Sequence, residues 1–409
     1  MFYGWVILAV GAIGGVMTSP GQTYAFSAFL DHFINDLGLS RSMVSTLYTV
    51  GTLAASFVLP FVGRRFDRHG ARIMITLASL LLGLACIYMS FVRNAVMLGI
   101  GFFMLRQFGQ GSLSLVSKNV INLWWVRRRG RMMGIVGVFG ALLGGLFPYL
   151  INTLIAAYGW RWTYVILGVM VLGVMIPVGW IFTRNRPEDH GLQPDGEVLQ
   201  AGHEDTGEPL ETNWTLAQVV RCPAFWVTVV GMSSMSALNT GLFFHIFSVF
   251  EDCGLSSTVA ASVFVPIATT GAVMQLIAGF LVGRVHLRVL LALALILEAG
   301  ILVAATRLTS APLAYAFGVA WGIQGGVEIL VMGVIFANYF GRRHLGAIAG
   351  FSSTLLVAAS ALGPMPIGVA RDLLGGYETV LSGAAIVPLL LGLACLLFGK
   401  PPAQPPAVR

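Results

Sequence analysis

Long runs of apolar residues, interrupted by short polar segments, occupy the chain from end to end. A helix needs roughly 20 mostly apolar residues to cross a bilayer. Twelve stretches reach that length, near 5–30, 42–62, 73–92, 95–121, 132–156, 162–183, 223–249, 257–282, 288–306, 312–337, 346–370 and 378–398. One segment, 184–221, breaks the pattern: it is acidic, rich in Gly and Pro, and has no apolar run, so it reads as a solvent-exposed linker. The pattern predicts an all-α membrane protein. It has a six-helix half over 1–183, a linker over 184–221, a second six-helix half over 222–400 and a tail over 401–409.

Composition supports this. Of the 409 residues, 57% are hydrophobic and 10% are charged, against about 25% charged in a soluble domain. That leaves too little polar surface for a water-soluble globule, so the outer surface must face lipid. The 50 glycines and 26 phenylalanines suit closely packed membrane helices. The net charge of +7 has a topological origin. With the N-terminus inside, 17 of the 24 Lys and Arg fall in inner segments and 5 in outer ones. This places both termini and the linker in the cytoplasm, in the inner membrane of a cell, and gives no nucleic-acid footprint. Cys86, Cys222, Cys253 and Cys395 are far apart and show no metal spacing. No metal or cofactor is expected, and the four read as packing residues. The start, Met1-Phe2-Tyr3-Gly4-Trp5, lacks a basic leader region, so the first helix is expected to be retained.

The halves align at a constant offset of 216 residues. Gly38-Leu39-Ser40 matches Gly254-Leu255-Ser256, Arg68 and Arg72 match Arg284 and Arg288, and Asn122 matches Asn338. Arg127 matches Arg343, Gly130 and Gly134 match Gly346 and Gly350, Pro148 matches Pro364, and Gly159 matches Gly375. Transporters built from two parallel halves carry such weak internal symmetry, with substrate bound where the halves meet.

The loop Gly63-Arg64-Arg65-Phe66-Asp67-Arg68-His69-Gly70-Ala71-Arg72 resembles the G-x-x-x-D-R-x-G-x-R signature of the major facilitator superfamily. The resemblance implies twelve helices in two pseudo-symmetric bundles, working by alternating access. It also implies that this loop, with Gly63, Asp67, Arg68 and Arg72, forms a cytoplasmic charge network that holds one conformation closed. Arg127 and Arg128 join that conformational switch. In the repeat copy Gly283 stands in place of Asp67. Tyr3-Gly4-Trp5, Trp124-Trp125-Val126-Arg127-Arg128-Arg129 and Arg186-Pro187-Glu188-Asp189-His190-Gly191-Leu192 look like the bacterial monocarboxylate transporter and oxalate:formate antiporter branch. Where that branch carries an Asp and a substrate-holding Arg in helix eight, this chain has Gly271 and Gln275, and no Lys lies between Ala347 and Ala370.

Polar groups inside the spans are the candidate chemistry, because each is costly in lipid. In the fourth span Arg106, Gln110, Ser114, Ser117 and Lys118 recur at three- and four-residue steps on one face. Arg106-x-x-x-Gln110-Gly111 resembles the superfamily's helix-four motif. Helices one, four, seven and ten line the cavity in that family. Arg106 and Gln110 are therefore expected to bind substrate, or Arg106 is held by neighbouring carbonyls as a structural residue. Lys118 lies near the end of its span, where it can snorkel. In the tenth span Gln324 and Glu328 share a face. Burial disfavours the charged form of an unpaired carboxylate, so Glu328 is the first proton-coupling candidate and a fixed ion pair is its plainer alternative. His245 in the seventh span is the second such candidate, set against a packing role. Pro20 and Gly21 should kink the first span, with Thr18, Gln22 and Tyr24 offering polar contacts. Gln275 and Gln324 complete the expected substrate contacts. Glu298 in the ninth span is read as a buried pair partner or a lesser coupling site. Gly134, Gly137, Gly140, Gly144 and Gly145 form a small-residue face before Pro148, without the Gly-Pro pair of the drug-antiporter motif.

The sequence therefore points to a proton-coupled symporter of a small carboxylate, monomeric in the bilayer, with Arg106 attracting the anion. Efflux of amphipathic or cationic compounds is the rival within transport, and a non-transporting membrane sensor is the rival outside it. No enzyme motif or nucleotide loop is present. The topology makes a prediction: on a cysteine-free background, single cysteines placed in 184–221 should resist an impermeant thiol reagent in intact cells. Ready labelling there would reverse the orientation.

Overall fold

Lipid offers no hydrogen bonds, so a spanning chain must satisfy its backbone within each helix. The computed structural model describes residues 2–196 and 213–400, and among them every long element is a helix. The central part of the linker, 197–212, and the tail, 401–409, lie outside the described residues. The chain forms two compact units. One contains Met1–Met132, Phe139–Asn213 and Gly341–Thr354; the other contains Met133–Val138, Trp214–Phe340 and Leu355–Arg409.

The first unit is built on α1 (Gly4–Met17), α2 (Thr23–Leu37), α3 (Arg41–Ser56), α4 (Leu59–Ser90), α5 (Ala95–Leu105), α6 (Ser114–Trp124) and most of α7 (Arg129–Pro177). The second holds α8 (Leu216–Val219), α9 (Pro223–Asp252), α10 (Ser257–Ser262), α11 (Phe264–Leu281), α12 (Leu287–Ala305) and α13 (Ala311–Phe340). It is completed by α15 (Pro364–Leu374), α16 (Tyr377–Ala384) and α17 (Ile386–Phe398). Between them in sequence, α14 (Leu345–Leu362) gives its first ten residues to the first unit and the rest to the second.

Nine helical stretches among the described residues are long and apolar enough to span a membrane. The sequence pattern predicts twelve, and the difference has local causes. The fifth and sixth spans run together as one stretch, Arg129–Phe182. At 54 residues it is over twice the length one crossing needs, and it turns at Gly159, whose φ is 76°. The second span is divided between the 16-residue α3 and the start of α4. The fourth is divided by a π-helical segment, Arg106–Leu113. The signature loop is likewise part of one long element, α4, interrupted at Gly70 (φ 81°, ψ 171°).

The 216-residue offset has a structural counterpart. Gly38 and Gly254 both take positive φ, at 64° and 75°. Ser40 and Ser256 then cap the next helix, their hydroxyls accepting from Met43 N and Val259 N. Gly159 and Gly375 both sit at φ 76°. These repeated turns are positions where only Gly is unstrained.

Aromatic rings fill the first unit: Phe29 stacks on Tyr164 at 4.1 Å, and Phe33 meets Phe102 and Trp160 edge-on. In the second unit Leu242, Ile246 and Phe250 pack with Leu302, Phe317 and Trp321. Large apolar side chains such as Phe57, Leu373 and Leu397 are more than 70% exposed, as a lipid-facing surface allows.

Within the first unit, the start of α14 rests on α4. Asp67 accepts from Gly346 N at 2.8 Å and Ala347 N at 2.7 Å, placing a carboxylate on the free amides of a helix N-terminus. A Cβ on Gly63 would overlap the carbonyl oxygen of Gly346, and one on Gly346 would overlap that of Gly63. We therefore expect Gly63→Val to destabilise the purified protein by about 1–3 kcal/mol, an overpacking cost, and to lower its Tm. Gly173→Val, where a Cβ meets nothing within 4 Å, is the control. Equal melting of the two variants would show that the close approach contributes nothing.

Candidate functional site

The first site forms where the first span breaks. α1 ends at Met17, a short 3-10 turn covers Ser19–Gly21, and α2 resumes at Thr23. Pro20 cannot donate to the helix ladder, and Gln22 is extended (φ −88°, ψ 156°), so carbonyls near the break lose their helical partners. One of them, Gly21 O, accepts from Arg106 Nη1 at 3.0 Å. Arg106 Nε donates to Thr52 Oγ1 at 3.0 Å, Nη1 makes a longer contact of 3.5 Å to Thr23 Oγ1, and the guanidinium lies 5.0 Å from the Tyr48 ring centre. The side chain is 6% exposed.

Hydrogen bonds to a charged group contribute about 1.5–3 kcal/mol each. The two short ones and the ring contact therefore offset much of the several kcal/mol that an unsatisfied buried charge costs. Arg106 is held without any carboxylate. Its Nη2 makes no hydrogen bond among the described residues.

Two glycines permit this crossing. A Cβ on Gly21 would overlap the carbonyl oxygen of Leu105, and one on Gly109 would come within 2.9 Å of Gly21 Cα. The π-helical turn at Arg106–Leu113 is local to the same place, and such turns are frequent at functional sites. It also reorients the residues that follow. Gln110 Oε1 is enclosed with no hydrogen-bond partner, whereas Gln107 donates to Ser112 Oγ at 3.0 Å. Gln22 donates to Thr18 Oγ1 at 2.9 Å, and the Tyr24 hydroxyl bonds Ser19 Oγ at 2.7 Å with its side chain 37% exposed. Lys118 is exposed and forms no hydrogen bond or ion pair among the described residues.

The second site lies within the second unit. Glu328 on α13 is 8% exposed and has no ion partner among the described residues. Its Oε2 accepts from Asn239 Nδ2 at 2.7 Å and from Gln324 Nε2 at 3.1 Å. Trp321 Nε1 donates to Asn239 Oδ1 at 2.7 Å, which fixes the amide's orientation toward Glu328. Oε1 takes part in no hydrogen bond among the described residues. The ion pair weighed for Glu328 is thus replaced by a set of neutral donors. Asn239 and Trp321 are absent from the candidates drawn from the sequence. An amide inside the apolar run 223–249 was the available signal.

Other predicted residues are placed elsewhere. His245 uses both ring nitrogens, Nε2 at 3.1 Å from Pro364 O and Nδ1 at 3.0 Å from the Tyr377 hydroxyl, so it ties α9 to α15 and α16. Gln275 is 7% exposed and packs against Gly137, where a Cβ would overlap its amide. Glu298 is 1% exposed and neither carboxylate oxygen has a hydrogen-bond partner, so the expected pair partner is absent among the described residues.

In the switch loop the charge of Arg186 acts on Asp67, beside backbone contacts. Asp67 binds backbone amides, and Arg68 is exposed without a hydrogen bond or ion pair among the described residues. Arg72 Nε donates to Trp180 O at 2.7 Å and the guanidinium stacks on that ring at 4.5 Å. Arg127 and Arg128 contribute through their backbone: with Val126, their N–H groups donate to the Asp195 carboxylate at 2.8–3.1 Å. At the equivalent turn of the repeat, Arg342 N and Arg343 N donate to Asn213 Oδ1 at 3.1 and 3.0 Å. Asp195 and Asn213, both within the linker, thus cap matching turns. His344 beside them is held below the usual imidazole range by burial and by the charges of Arg343 and Arg186.

Comparison with known proteins gives these arrangements a context. The chain is 32% identical over 158 residues to a multidrug resistance protein B homolog of Mycobacterium tuberculosis, covering 38% of this chain and 29% of that protein. It is 26% identical over 210 residues to a "Probable L-galactonate transporter" of Escherichia coli, covering 49% and 44% respectively. The matches thus span less than a third of the first relative and under half of the second. The solved structure of the human organic anion transporter MFSD10 (TETRAN) superposes with a TM-score of 0.72 over 97% of this chain and 100% of that one. At 14% identity this establishes the shared fold. The family model described as Major Facilitator Superfamily matches residues 11–364, well over half of the sequence, and the chain belongs to that superfamily of membrane transporters.

Proposed function

We propose that this protein is a proton-coupled secondary transporter of a small organic carboxylate, acting as a monomer by alternating access. The observation that carries the reading is a pair of buried, oppositely charged side chains, one in each unit, neither with an ion partner among the described residues. Arg106 is held by neutral acceptors with Nη2 unengaged, and Glu328 is held by neutral donors with Oε1 unengaged. A carboxylate bound at Nη2 would be charge-matched in its site. A proton taken at Oε1 would remove the competing negative charge of Glu328. Reorientation would then carry no unpaired charge at either of these two sites, which lowers the cost of movement through a low-dielectric interior.

The galactonate relative is named for a carboxylate, and the Tyr3-Gly4-Trp5 and Trp124–Arg129 segments support placement near the monocarboxylate and oxalate:formate branch. Gln22, Tyr24, Gln110 and Gln324 would add polar contacts to substrate. The basic residues favour an inner-membrane orientation with both termini and the linker in the cytoplasm. A second reading, efflux of amphipathic or cationic compounds, is favoured by the match to the multidrug resistance homolog and would use Glu328 as the cation's counter-charge.

Two variants separate the roles, with galactonate as the probe carboxylate in proteoliposomes. Arg106→Gln should lower carboxylate binding by at least tenfold, the loss of one charge-assisted hydrogen bond or more. Normal uptake by that variant would sink the anion reading and bring cation efflux forward. Glu328→Gln should preserve exchange of substrate across the membrane while removing accumulation driven by a pH gradient, because exchange requires no net proton release. A Glu328→Gln protein that still concentrates substrate would show the coupling proton to be held elsewhere.

A further inference from the structure

A groove of about 810 Å³ runs between α12, α13 and the α16–α17 region of the second unit. Its α12 wall is Ile296, Gly300, Val303 and Ala304, with Arg307 next on the same stripe. Leu313 and Phe317 of α13 form a second wall, and Ser382 and Leu389 a third. Arg307 lies two residues beyond the apolar span Leu287–Ala305, at the level where a bilayer's headgroups begin. Its guanidinium is exposed and forms no hydrogen bond or ion pair among the described residues. Ser382 Oγ is enclosed in the groove's wall with no hydrogen-bond partner. A Cβ on Gly300 would meet nothing within 4 Å, so the missing side chain leaves open space, not a tight helix crossing.

Length and charge together identify an occupant. From Ile296 to the helix end at Ala305 the chain advances about 14 Å at roughly 1.5 Å per residue, close to half of the roughly 30 Å hydrocarbon core. The groove is therefore one leaflet deep, apolar along its length, and closed at its headgroup end by an unpaired cation. We propose that it holds one acyl chain of an anionic phospholipid, with the lipid phosphate on Arg307. A zwitterionic lipid fits the apolar part equally well but presents its own cation beside the phosphate. The site is therefore selective for an anionic headgroup. Helices α12, α13 and α17 would then be joined through a lipid on their outer face, and the stability of the second unit would depend on membrane composition.

The test uses the full-length purified protein, stripped of lipid in detergent and titrated with phosphatidylglycerol, phosphatidylcholine or inorganic phosphate. Retained lipid is counted by native mass spectrometry, with Tm measured in parallel. Wild type should retain phosphatidylglycerol in preference to phosphatidylcholine and gain Tm with it, and phosphate alone should do neither. Arg307→Gln, a surface change that leaves packing intact, should lower phosphatidylglycerol retention about tenfold by removing a charge-assisted contact. Gly300→Leu should block retention of both lipids by filling the groove. Equal retention of the two lipids by wild type would overturn the proposal. So would unchanged phosphatidylglycerol binding by Arg307→Gln, or a Tm gain from inorganic phosphate equal to that from the lipid.

Discussion

A guanidinium buried in a membrane-spanning helix must find its acceptors inside the protein, and the first unit is arranged around that requirement. Arg106 takes a carbonyl, Gly21 O, that is available because Pro20 and the extended Gln22 interrupt the first span. The carbonyl comes within reach because Gly21 and Gly109 let the two backbones cross without a Cβ between them. Thr52 and the Tyr48 ring complete the cradle from α3. The break, the glycines, the π-helical turn and the arginine are one structural device. It holds a full positive charge in the helix bundle while committing only part of the hydrogen-bonding edge.

The second unit meets the same constraint with the opposite charge and different means. Glu328 is surrounded by amides and an indole, linked in the order Trp321, Asn239, Glu328, with Gln324 on the same carboxylate oxygen. Neutral donors stabilise a carboxylate while leaving it able to bind and release a proton, which a fixed salt bridge would oppose. Each unit therefore holds one buried charge among neutral partners, positive in the first and negative in the second. Asp67, Asp195 and Asn213 serve a different purpose: each accepts backbone amides at a helix start or turn, where a negative or polar group offsets the unpaired N–H groups.

Much of the architecture was legible in the sequence because lipid imposes a length rule and a composition rule. The spans and the 216-residue repeat came from those patterns, and the repeat reappears as paired left-handed glycines and serine caps. Arg106 and Glu328 stood out because charge is scarce in apolar runs. Their partners did not, since Thr52, Tyr48 and Asn239 are ordinary residues until the helices cross. The π-helical turn has no signature of its own in the amino-acid pattern. Glu298 was misleading in the opposite sense: a buried carboxylate suggested a cation nearby, and the structure supplies neither a cation nor a hydrogen bond among the described residues. His245 drew attention by its chemistry, yet both its nitrogens serve to join helices.

The central claim is that these two sites bind an anion and a proton. It is tested most directly by a proteoliposome uptake screen of carboxylates and cationic dyes, with and without an imposed pH gradient. The account predicts that at least one carboxylate accumulates above its external concentration when the substrate side is acidic, and that collapsing the gradient abolishes this. Gradient-driven movement of a cationic dye, with no carboxylate accumulated, would contradict it.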